Sequence, residues 1–247
     1  MTTNGIVVPC FNEASRWDAA YWTRILQTVP ARFLFVDDGS IDETRDKINT
    51  VTAGTESGCL PFSSNRGKAE AVRLGFLELM QDKSVQVVGY LDADGAFAVS
   101  DIARLQILFE QLQTLRSIDA LWSSRVALAG RDIQRSDRRH YIGRIVATML
   151  SVGYGSIPYD TQSGFKLFRV AEPLRQSLSQ AFRTRWLFEV ELLARWKSIC
   201  GHPMNIWEEP VEFWHDVPGS KIRGRELVRI ARDLARIKRE QRRLLTA

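Results

Sequence analysis

The residues best suited to chemistry in this chain are two carboxylates one residue apart, Asp92 and Asp94, directly after the apolar run Val85–Leu91. Carboxylate oxygens at this spacing suit a hard divalent cation, Mg²⁺ or Mn²⁺, that also binds phosphate oxygens. The pair therefore predicts a site for a substrate that is activated by a diphosphate. Because Asp-x-Asp also occurs by chance at solvated loop ends, the surrounding motifs decide between the two interpretations.

Two further polar motifs lie between predicted elements. Asp37 and Asp38 precede Gly39, and since a turn and helix cap need only one such side chain, the second carboxylate favours a role beyond the turn. Asp38 is a candidate acceptor for a nucleobase imide. Lys68 opens a predicted helix, where a cation opposes the helix dipole. A phosphate bound between the Lys68 ammonium group and the N-terminus of the helix would be attracted by both and would remove this mismatch.

Several common site types are excluded by spacing. No G-x-G-x-x-G follows a predicted strand, and Phe62 stands where a phosphate-binding loop of the G-x4-G-K type needs glycine, so nicotinamide-dinucleotide and P-loop sites are disfavoured. The three histidines, His140, His202 and His215, are too scattered to form a metal set. Three cysteines, an odd number without metal-ligand spacing, favour a reduced cytosolic setting.

Other charged motifs allow two interpretations each. The basic run that includes Arg135 and Arg139 suits either a solvated helix face or a phosphate carried on an apolar chain, because apolar residues follow it. Lys221, after Gly-Ser, indicates a cationic lid or an ordinary turn. Glu189 and Glu191 open a predicted helix on nearly opposite faces, so one could face the cleft, or both could simply favour the helix dipole.

Short apolar runs alternate with helical patterns through the first half of the chain. Strands are predicted at residues 5–9, 32–36, 85–91, 120–123 and 163–168, and helices at 17–29, 43–51, 67–80, 101–115, 137–152, 186–197 and 226–245. This order predicts an α/β fold with a mostly parallel central sheet flanked by helices. Because such sheets bind ligands outside the carboxyl ends of their strands, the polar motifs are expected to converge at one edge.

The positive charge of the chain is concentrated at its end. Residues 221–247 carry ten Lys or Arg and three Asp or Glu, a net charge of +7, whereas the preceding residues carry 24 and 26, a net charge of −2. We therefore expect a catalytic domain over 1–220 and a basic amphipathic helix in 221–247, either on an anionic membrane surface or packed on the body. Without a recognisable signal peptide or an apolar run long enough to span a bilayer, a cytoplasmic location is predicted, either free or peripheral on the cytoplasmic membrane face.

The ordered motifs around Pro9, Asp38, Lys68 and Asp92 resemble glycosyltransferase family 2, whose members have the Rossmann-like GT-A fold and invert the anomeric centre. The segments 160–168, 185–193 and 219–221 are similar to the dolichyl-phosphate β-glucosyltransferase branch. Ala96, two residues beyond Asp94, also fits this branch, since polyprenyl-phosphate mannosyltransferases have glutamine there.

The resemblance implies a role for each matching residue. It assigns nucleotide-sugar binding to Pro9, Phe11, Glu13, Asp38, Lys68, Asp92, Ala93 and Asp94. Asp92 and Asp94 would bind Mg²⁺ or Mn²⁺ on the donor diphosphate. The phosphates of donor and acceptor would be bound by Arg125, Arg135, Arg139 and Lys221. Glu189 would act as a general base only towards a hydroxyl acceptor, because a phosphate is already an anionic nucleophile.

The sequence thus predicts an inverting, metal-dependent glycosyltransferase that moves a hexose, with glucose from UDP-glucose preferred, to a polyprenyl phosphate. One alternative is the same fold with a soluble hydroxyl acceptor. A less favoured alternative is a protein that binds nucleic acid through its basic tail. No nucleic-acid partner is expected, because the basic charge is confined to residues 221–247 while the body carries the acidic motifs.

Overall fold

A computed structural model describes residues 3–134, 158–184 and 187–215 of the chain. The described strands are β1 (Thr3–Cys10), β2 (Arg32–Asp37), β3 (Gly58–Pro61), β4 (Val85–Leu91), β5 (Ala120–Ser124), β6 (Asp132–Gln134), β7 (Phe165–Arg169), β8 (Ile206–Pro210) and β9 (Phe213–His215). The described helices are α1 (Ala19–Thr28), α2 (Thr44–Thr52), α3 (Lys68–Leu79), α4 (Val99–Leu115), α5 (Glu172–Ser177) and α6 (Phe188–Cys200), with one 3-10 turn at Ala14–Arg16.

Seven of the strands form one mostly parallel sheet in the order β3-β2-β1-β4-β7-β5-β8. Strand β1 pairs in parallel with β2 and β4, and β2 in parallel with β3. Strand β7 is the exception, since it lies antiparallel between β4 and β5. The start of β7 therefore lies beside the end of β4, which brings the segment before Phe165 to the carboxyl edge of the parallel strands.

Two apolar layers hold the sheet between helices. On one face Ile6 and Val8 of β1 join a core that includes residues of α1 and α4. On the other face Val7 packs in a second core with residues of α3 and α6. The alternation along β1 follows from the strand period of two, and burial of both faces explains why its residues 6–8 are continuously apolar. This rigid sheet fixes the positions of the loops at its edge.

The predicted mostly parallel α/β architecture is confirmed. Strands β3, β6, β8 and β9 and helix α5 were not predicted from the sequence. Strand β8 contains two glutamates and a proline, and β3 is four residues long and ends in a proline, so neither has the apolar pattern of a buried strand. These edge elements gain their geometry from pairing with a neighbour rather than from local preference.

Some predicted elements lie outside the described residues. They are the helices at 137–152 and 226–245 and the boundary between 1–220 and 221–247. Within residues 3–134, 158–184 and 187–215, none of the helices combines the length and the apolar composition that crossing a bilayer requires.

Candidate active site

Strands β1, β2 and β4 end at the same edge of the sheet, and hydrogen bonds join the loops after β1 and β2. The amide of Asp38 donates to the carbonyl of Cys10 at 2.8 Å. The amide of Asn12 donates to the hydroxyl of Ser40 at 3.0 Å, and the Asn12 side chain accepts from the amide of Ile41 at 3.0 Å. The loop after β1 and the loop after β2, which carries Asp38, therefore form one connected rim, as the parallel topology predicts.

Asp92 follows β4 at this edge, where it contacts both the first residue of α3 and the segment before β7. Its Oδ1 is 2.5 Å from Nζ of Lys68, and its amide donates to the carbonyl of Gly164 at 2.9 Å. The side chains of Lys68 and Asp92 are 32% and 31% exposed, so the ion pair faces open space. The ammonium group neutralises one of the two closely spaced carboxylates and remains accessible to an anionic ligand.

Asp94 carries excess negative charge for its surroundings. Burial, and then the neighbouring charge of Asp92, raise the pKa of the Asp94 carboxyl above its ordinary value, although the amide of Ala96 and the charge of Arg16 act against this. A divalent cation would relieve the same repulsion. The residues present therefore fit a metal that is held by two carboxylates, with its other ligands supplied by a diphosphate and water, the usual arrangement for Mg²⁺. No cluster of three or more acidic, histidine or cysteine ligands exists among the described residues.

The two acids of the second motif have separate structural tasks. Asp37 is fully buried and accepts from the amide of Ser40 at 2.9 Å and from Nε of Arg45 at 2.8 Å, which closes the turn after β2. The carboxylate of Asp38 accepts from the amides of Arg66 and Gly67 at 2.7 and 2.8 Å. Asp38 thus joins the end of β2 to the start of α3, and its contact with a nucleobase stays a prediction.

The remaining residues expected around the nucleotide differ in exposure. Phe11 is 42% exposed, Pro9 is partly buried at the end of β1, and Ala93 is buried between the two aspartates. Glu13 is buried and forms an ion pair with Arg16. The positive charge of Arg16 also acts to lower the pKa of the Asp94 carboxyl, and this residue was not singled out from the sequence. The exposed ring of Phe11 is the one of these side chains that is open to stacking.

Arg125 follows β5 and reaches the same edge in a fixed orientation. Its Nε and Nη2 each lie 2.7 Å from an oxygen of Asp160, and its guanidinium lies 5.1 Å from the ring centre of Trp214. Burial opposes the charged form, but Asp160 and then Asp92 outweigh it and raise the pKa of Arg125. A permanently charged guanidinium that Asp160 holds in one orientation suits the binding of a phosphate.

A buried charged network lies beneath these residues. Lys166 has no solvent exposure, and its Nζ donates to the hydroxyl of Tyr90 at 2.7 Å and contacts Oε1 of Glu189 at 3.3 Å. The Tyr90 hydroxyl donates to the same Oε1 at 2.6 Å. Burial lowers the pKa of Lys166, whereas the charge of Glu189 raises it. No described residue donates to Oε2 of Glu189.

The two glutamates in the first turn of α6 are both buried. Glu189 faces Lys166, and Glu191 accepts from Nη2 of Arg195 at 2.7 Å and from the amide of Thr184 at 3.1 Å. The second glutamate therefore stabilises the turn before α6. A role of Glu189 as general base remains a prediction.

The structure brings Asp38, Lys68, Asp92, Asp94 and Arg125 together. Three predicted phosphate-binding residues, Arg135, Arg139 and Lys221, lie outside the described residues.

Sequence reasoning assigned no role to Arg16, Tyr90, Asp160 or Lys166. One signal was available for Lys166, because it is the single charged residue in the apolar run 165–168.

Comparisons with known proteins identify the family of the chain. The family model described as glycosyl transferase family 2 matches residues 5–147, more than half of the chain. Dolichyl-phosphate beta-glucosyltransferase of Saccharomyces cerevisiae is 28% identical over 253 residues, which covers 94% of this chain and 73% of the relative. A dolichyl-phosphate beta-glucosyltransferase of Trichomonas vaginalis is 26% identical over 242 residues, covering 94% and 72%.

Solved structures with the same fold include glucosyl-3-phosphoglycerate synthase from Mycobacterium tuberculosis. Its complex with Mn²⁺, UDP and glucosyl-3-phosphoglycerate has a TM-score of 0.63 and 16% identity, covering 97% of this chain and 80% of that chain. The complex of the same enzyme with UDP gives a TM-score of 0.66 at 17% identity, with the same coverage. The matched range 5–147 contains the motifs around Pro9, Asp38, Lys68 and Asp92, and the protein belongs to glycosyl transferase family 2.

Proposed function

We propose that this protein transfers glucose from UDP-glucose to a polyprenyl phosphate, with inversion at the anomeric carbon. The observation that carries the proposal is similarity along 94% of the chain to dolichyl-phosphate beta-glucosyltransferases, which extends beyond the shared family domain into the second half. The cluster of Asp92, Lys68 and Arg125 supports it, because such a site suits a donor and an acceptor that are both phosphorylated.

The donor diphosphate would bind where carboxylates and cations meet. Asp92 and Asp94 would hold Mg²⁺ or Mn²⁺, which supplies charge stabilisation to the departing nucleoside diphosphate. Lys68 would exchange part of its contact with Asp92 for a phosphate oxygen, and the exposed ring of Phe11 would stack on the base. Asp160 already fixes the guanidinium group of Arg125. This side chain therefore loses little conformational entropy when it binds a phosphate.

In the transfer step, an oxygen of the acceptor phosphate forms a bond to the anomeric carbon while the bond from that carbon to the diphosphate oxygen breaks. The bonding electron pair leaves with UDP, whose new charge is stabilised by the cations of the site. The transition state resembles an oxocarbenium ion, and attack from the opposite face produces inversion. No proton has to be removed from the phosphate nucleophile.

A hydroxyl acceptor would require a general base, and Glu189 is the candidate that the sequence offers. Its side chain is 4% exposed and Oε1 accepts from Tyr90 and Lys166, an environment that favours a structural role. The phosphate acceptor is therefore preferred. Contact with an anionic membrane through residues 221–247 remains a prediction from the sequence, since this segment lies outside the described residues.

Partitioning of the labelled sugar tests the acceptor. Purified protein is incubated with radiolabelled UDP-glucose, Mn²⁺ and a polyprenyl phosphate in detergent, and the label is measured in the organic phase and in water. We expect acid-labile label in the organic phase. A parallel reaction with UDP-mannose tests the sugar, and one with a soluble hydroxyl acceptor tests the alternative. Label that enters only water-soluble product would contradict the polyprenyl-phosphate proposal.

A further inference from the structure

The segment 160–164 contacts two charged residues of the site, Arg125 and Asp92. At one end the carboxylate of Asp160 holds the guanidinium of Arg125. At the other end the carbonyl of Gly164 accepts from the amide of Asp92, and a Cβ added to Gly164 would collide with the Asp92 carboxylate. The position of this segment therefore sets the positions of Arg125 and Asp92 relative to each other.

The middle of the segment is held by Lys166, which touches none of the residues assigned to the donor. Its ammonium group donates to the carbonyl of Ser163 at 2.6 Å and to the carbonyl of Thr161 at 3.0 Å. Backbone carbonyls of a loop have no fixed partners of their own, so a buried ammonium that binds two of them restricts the loop to one conformation.

The charge of Lys166 is balanced by Glu189 across the sheet-helix interface. Lys166 lies on β7, between β4 and β5, whereas Glu189 lies in the first turn of α6. The Tyr90 hydroxyl of β4 connects them, since it accepts from Lys166 and donates to Glu189. Three separate elements thus share one hydrogen-bonded group directly behind the edge that carries Asp92.

We propose that Lys166 is a positioning residue for the transfer reaction, which fixes the segment 160–164 and through it Asp92 and Arg125, and that Glu189 is its counter-ion and not a general base. The assignment of Glu189 rests on the proposed phosphate acceptor. The assignment of Lys166 does not, because it concerns the donor site that any member of the family needs.

The first test changes Glu189 to Gln, which keeps the shape and the acceptor for Tyr90 but removes the basicity. Loss of a general base costs about 10²- to 10⁴-fold in rate. We expect Glu189→Gln to keep transfer to polyprenyl phosphate within about tenfold of the wild-type rate, below the range for a lost base. A loss of a thousandfold with unchanged binding of UDP and Mn²⁺ would overturn the counter-ion assignment.

The second test compares Lys166→Met, Lys166→Arg and the double change Lys166→Met with Glu189→Gln. Binding of UDP in the presence of Mn²⁺ is measured by calorimetry, and folding by thermal melting. The double variant contains no unpaired buried charge but cannot donate to the carbonyls of Thr161 and Ser163. We expect its melting temperature to lie close to that of the wild type. UDP should nevertheless bind about tenfold more weakly, and the transfer rate should fall about a hundredfold, because Asp92 and Arg125 are misplaced.

The other variants separate positioning from stability. Lys166→Arg keeps hydrogen-bond donors at this position and should recover part of the UDP affinity. Arg169→Met is the control. Arg169 lies on the same strand but is paired with Asp119 at the opposite edge, so this change should leave the UDP affinity at the wild-type value. If Lys166→Met alone does not fold, the UDP affinity and the transfer rate of the double variant still test the positioning role. Wild-type UDP affinity and transfer in a folded double variant would overturn the positioning role.

These readouts also distinguish this inference from the proposed function. UDP binding does not depend on the acceptor, so it tests Lys166 even if the wild type transfers no sugar to a polyprenyl phosphate. In that case the proposed acceptor fails, and a reduced UDP affinity in the double variant would still support Lys166 as a positioning residue.

Discussion

Single side chains at the sheet edge balance charge in a way that depends on the ligand. Lys68 neutralises Asp92 at 2.5 Å, whereas Asp94 keeps a carboxyl whose pKa is raised by burial and by Asp92. In the proposed site the ammonium group of Lys68 would compete with the metal for Asp92, and a diphosphate that attracts this ammonium group would free the carboxylate for the metal. The binding of metal and nucleotide should therefore reinforce each other at this site.

Replacing Lys68 with Met should separate the two binding events. Mn²⁺ alone should bind more tightly, because no ammonium competes for Asp92, while UDP in the presence of Mn²⁺ should bind about tenfold to a hundredfold more weakly through loss of a charged hydrogen bond. Free Mn²⁺ measured by electron paramagnetic resonance, with and without UDP, checks both expectations. Lys83→Met, in an exposed turn, is the control, and unchanged affinities in Lys68→Met would exclude the competition.

Replacing Asp94 with Ala should abolish most turnover without harming the fold. Loss of one preorganised electrostatic contact costs about 10²- to 10³-fold in rate. Since the charge of Asp94 is unfavourable in its surroundings, its removal should not lower the melting temperature. UDP release in the presence of Mn²⁺ and thermal melting are measured beside Asp82→Ala, which lies at the other end of β4. Near-wild-type turnover in Asp94→Ala would remove the metal role.

At the scale of elements, α3 has to lie close to the sheet to place Lys68. The helix begins at Lys68 and packs on β1 and β2 through Gly75. A Cβ at Gly75 would lie 2.7 Å from Cγ2 of Val7 and 3.0 Å from Cγ2 of Val36, both within the buried core. The missing side chain thus permits the close approach of helix and sheet, at the cost of helix propensity.

The change Gly75→Ala should destabilise the protein despite the better helix propensity of alanine. Overpacking of a buried contact costs about 1–3 kcal/mol, and alanine returns about 1 kcal/mol in a helix, so we expect a net loss of up to about 2 kcal/mol in the free energy of unfolding. Urea denaturation measures it. Gly58→Ala, where an added Cβ meets nothing within 4 Å, should change stability little. Increased stability in Gly75→Ala would contradict the packing argument.

At the scale of the whole molecule, one rigid sheet carries loops at both ends, and only one end holds the site. Hydrogen bonds join the loops after β1 and β2, and Asp92 after β4 is bonded to the segment before β7 and paired with Lys68 of α3. The turns at the opposite edge carry ordinary structural contacts, such as the ion pair of Arg169 with Asp119. Ligand binding should therefore order one edge and leave the other unchanged.

Hydrogen exchange of the full chain tests this asymmetry. Addition of UDP with Mn²⁺ should slow exchange of amides in the loops 11–13, 38–43 and 92–98, because the ligand stabilises the conformation that it binds. The turns 29–31, 80–84 and 116–119 serve as internal controls at the other edge. Equal protection at both edges, or protection by Mn²⁺ without UDP as strong as with it, would contradict this assignment of the site.

The sequence by itself determined the fold class and the acidic site. Buried strands such as 32–36 have to be apolar on both faces, and a strand end in a parallel sheet has to face the ligand edge, so local pattern and general topology together place Asp38 and Asp92. The order of the motifs also sufficed to indicate the family. These conclusions depend on short-range pattern, which a single sequence contains.

Only the tertiary structure decided how the site is held. Strand β7 runs antiparallel, which brings Gly164 against Asp92 and Asp160 against Arg125, and no local signal encodes the direction of a strand. The pairing of Lys166 with Glu189 joins residues 23 positions apart on different elements. Such contacts depend on the relative placement of sheet and helix, because a buried charge is stabilised by partners that folding alone assembles.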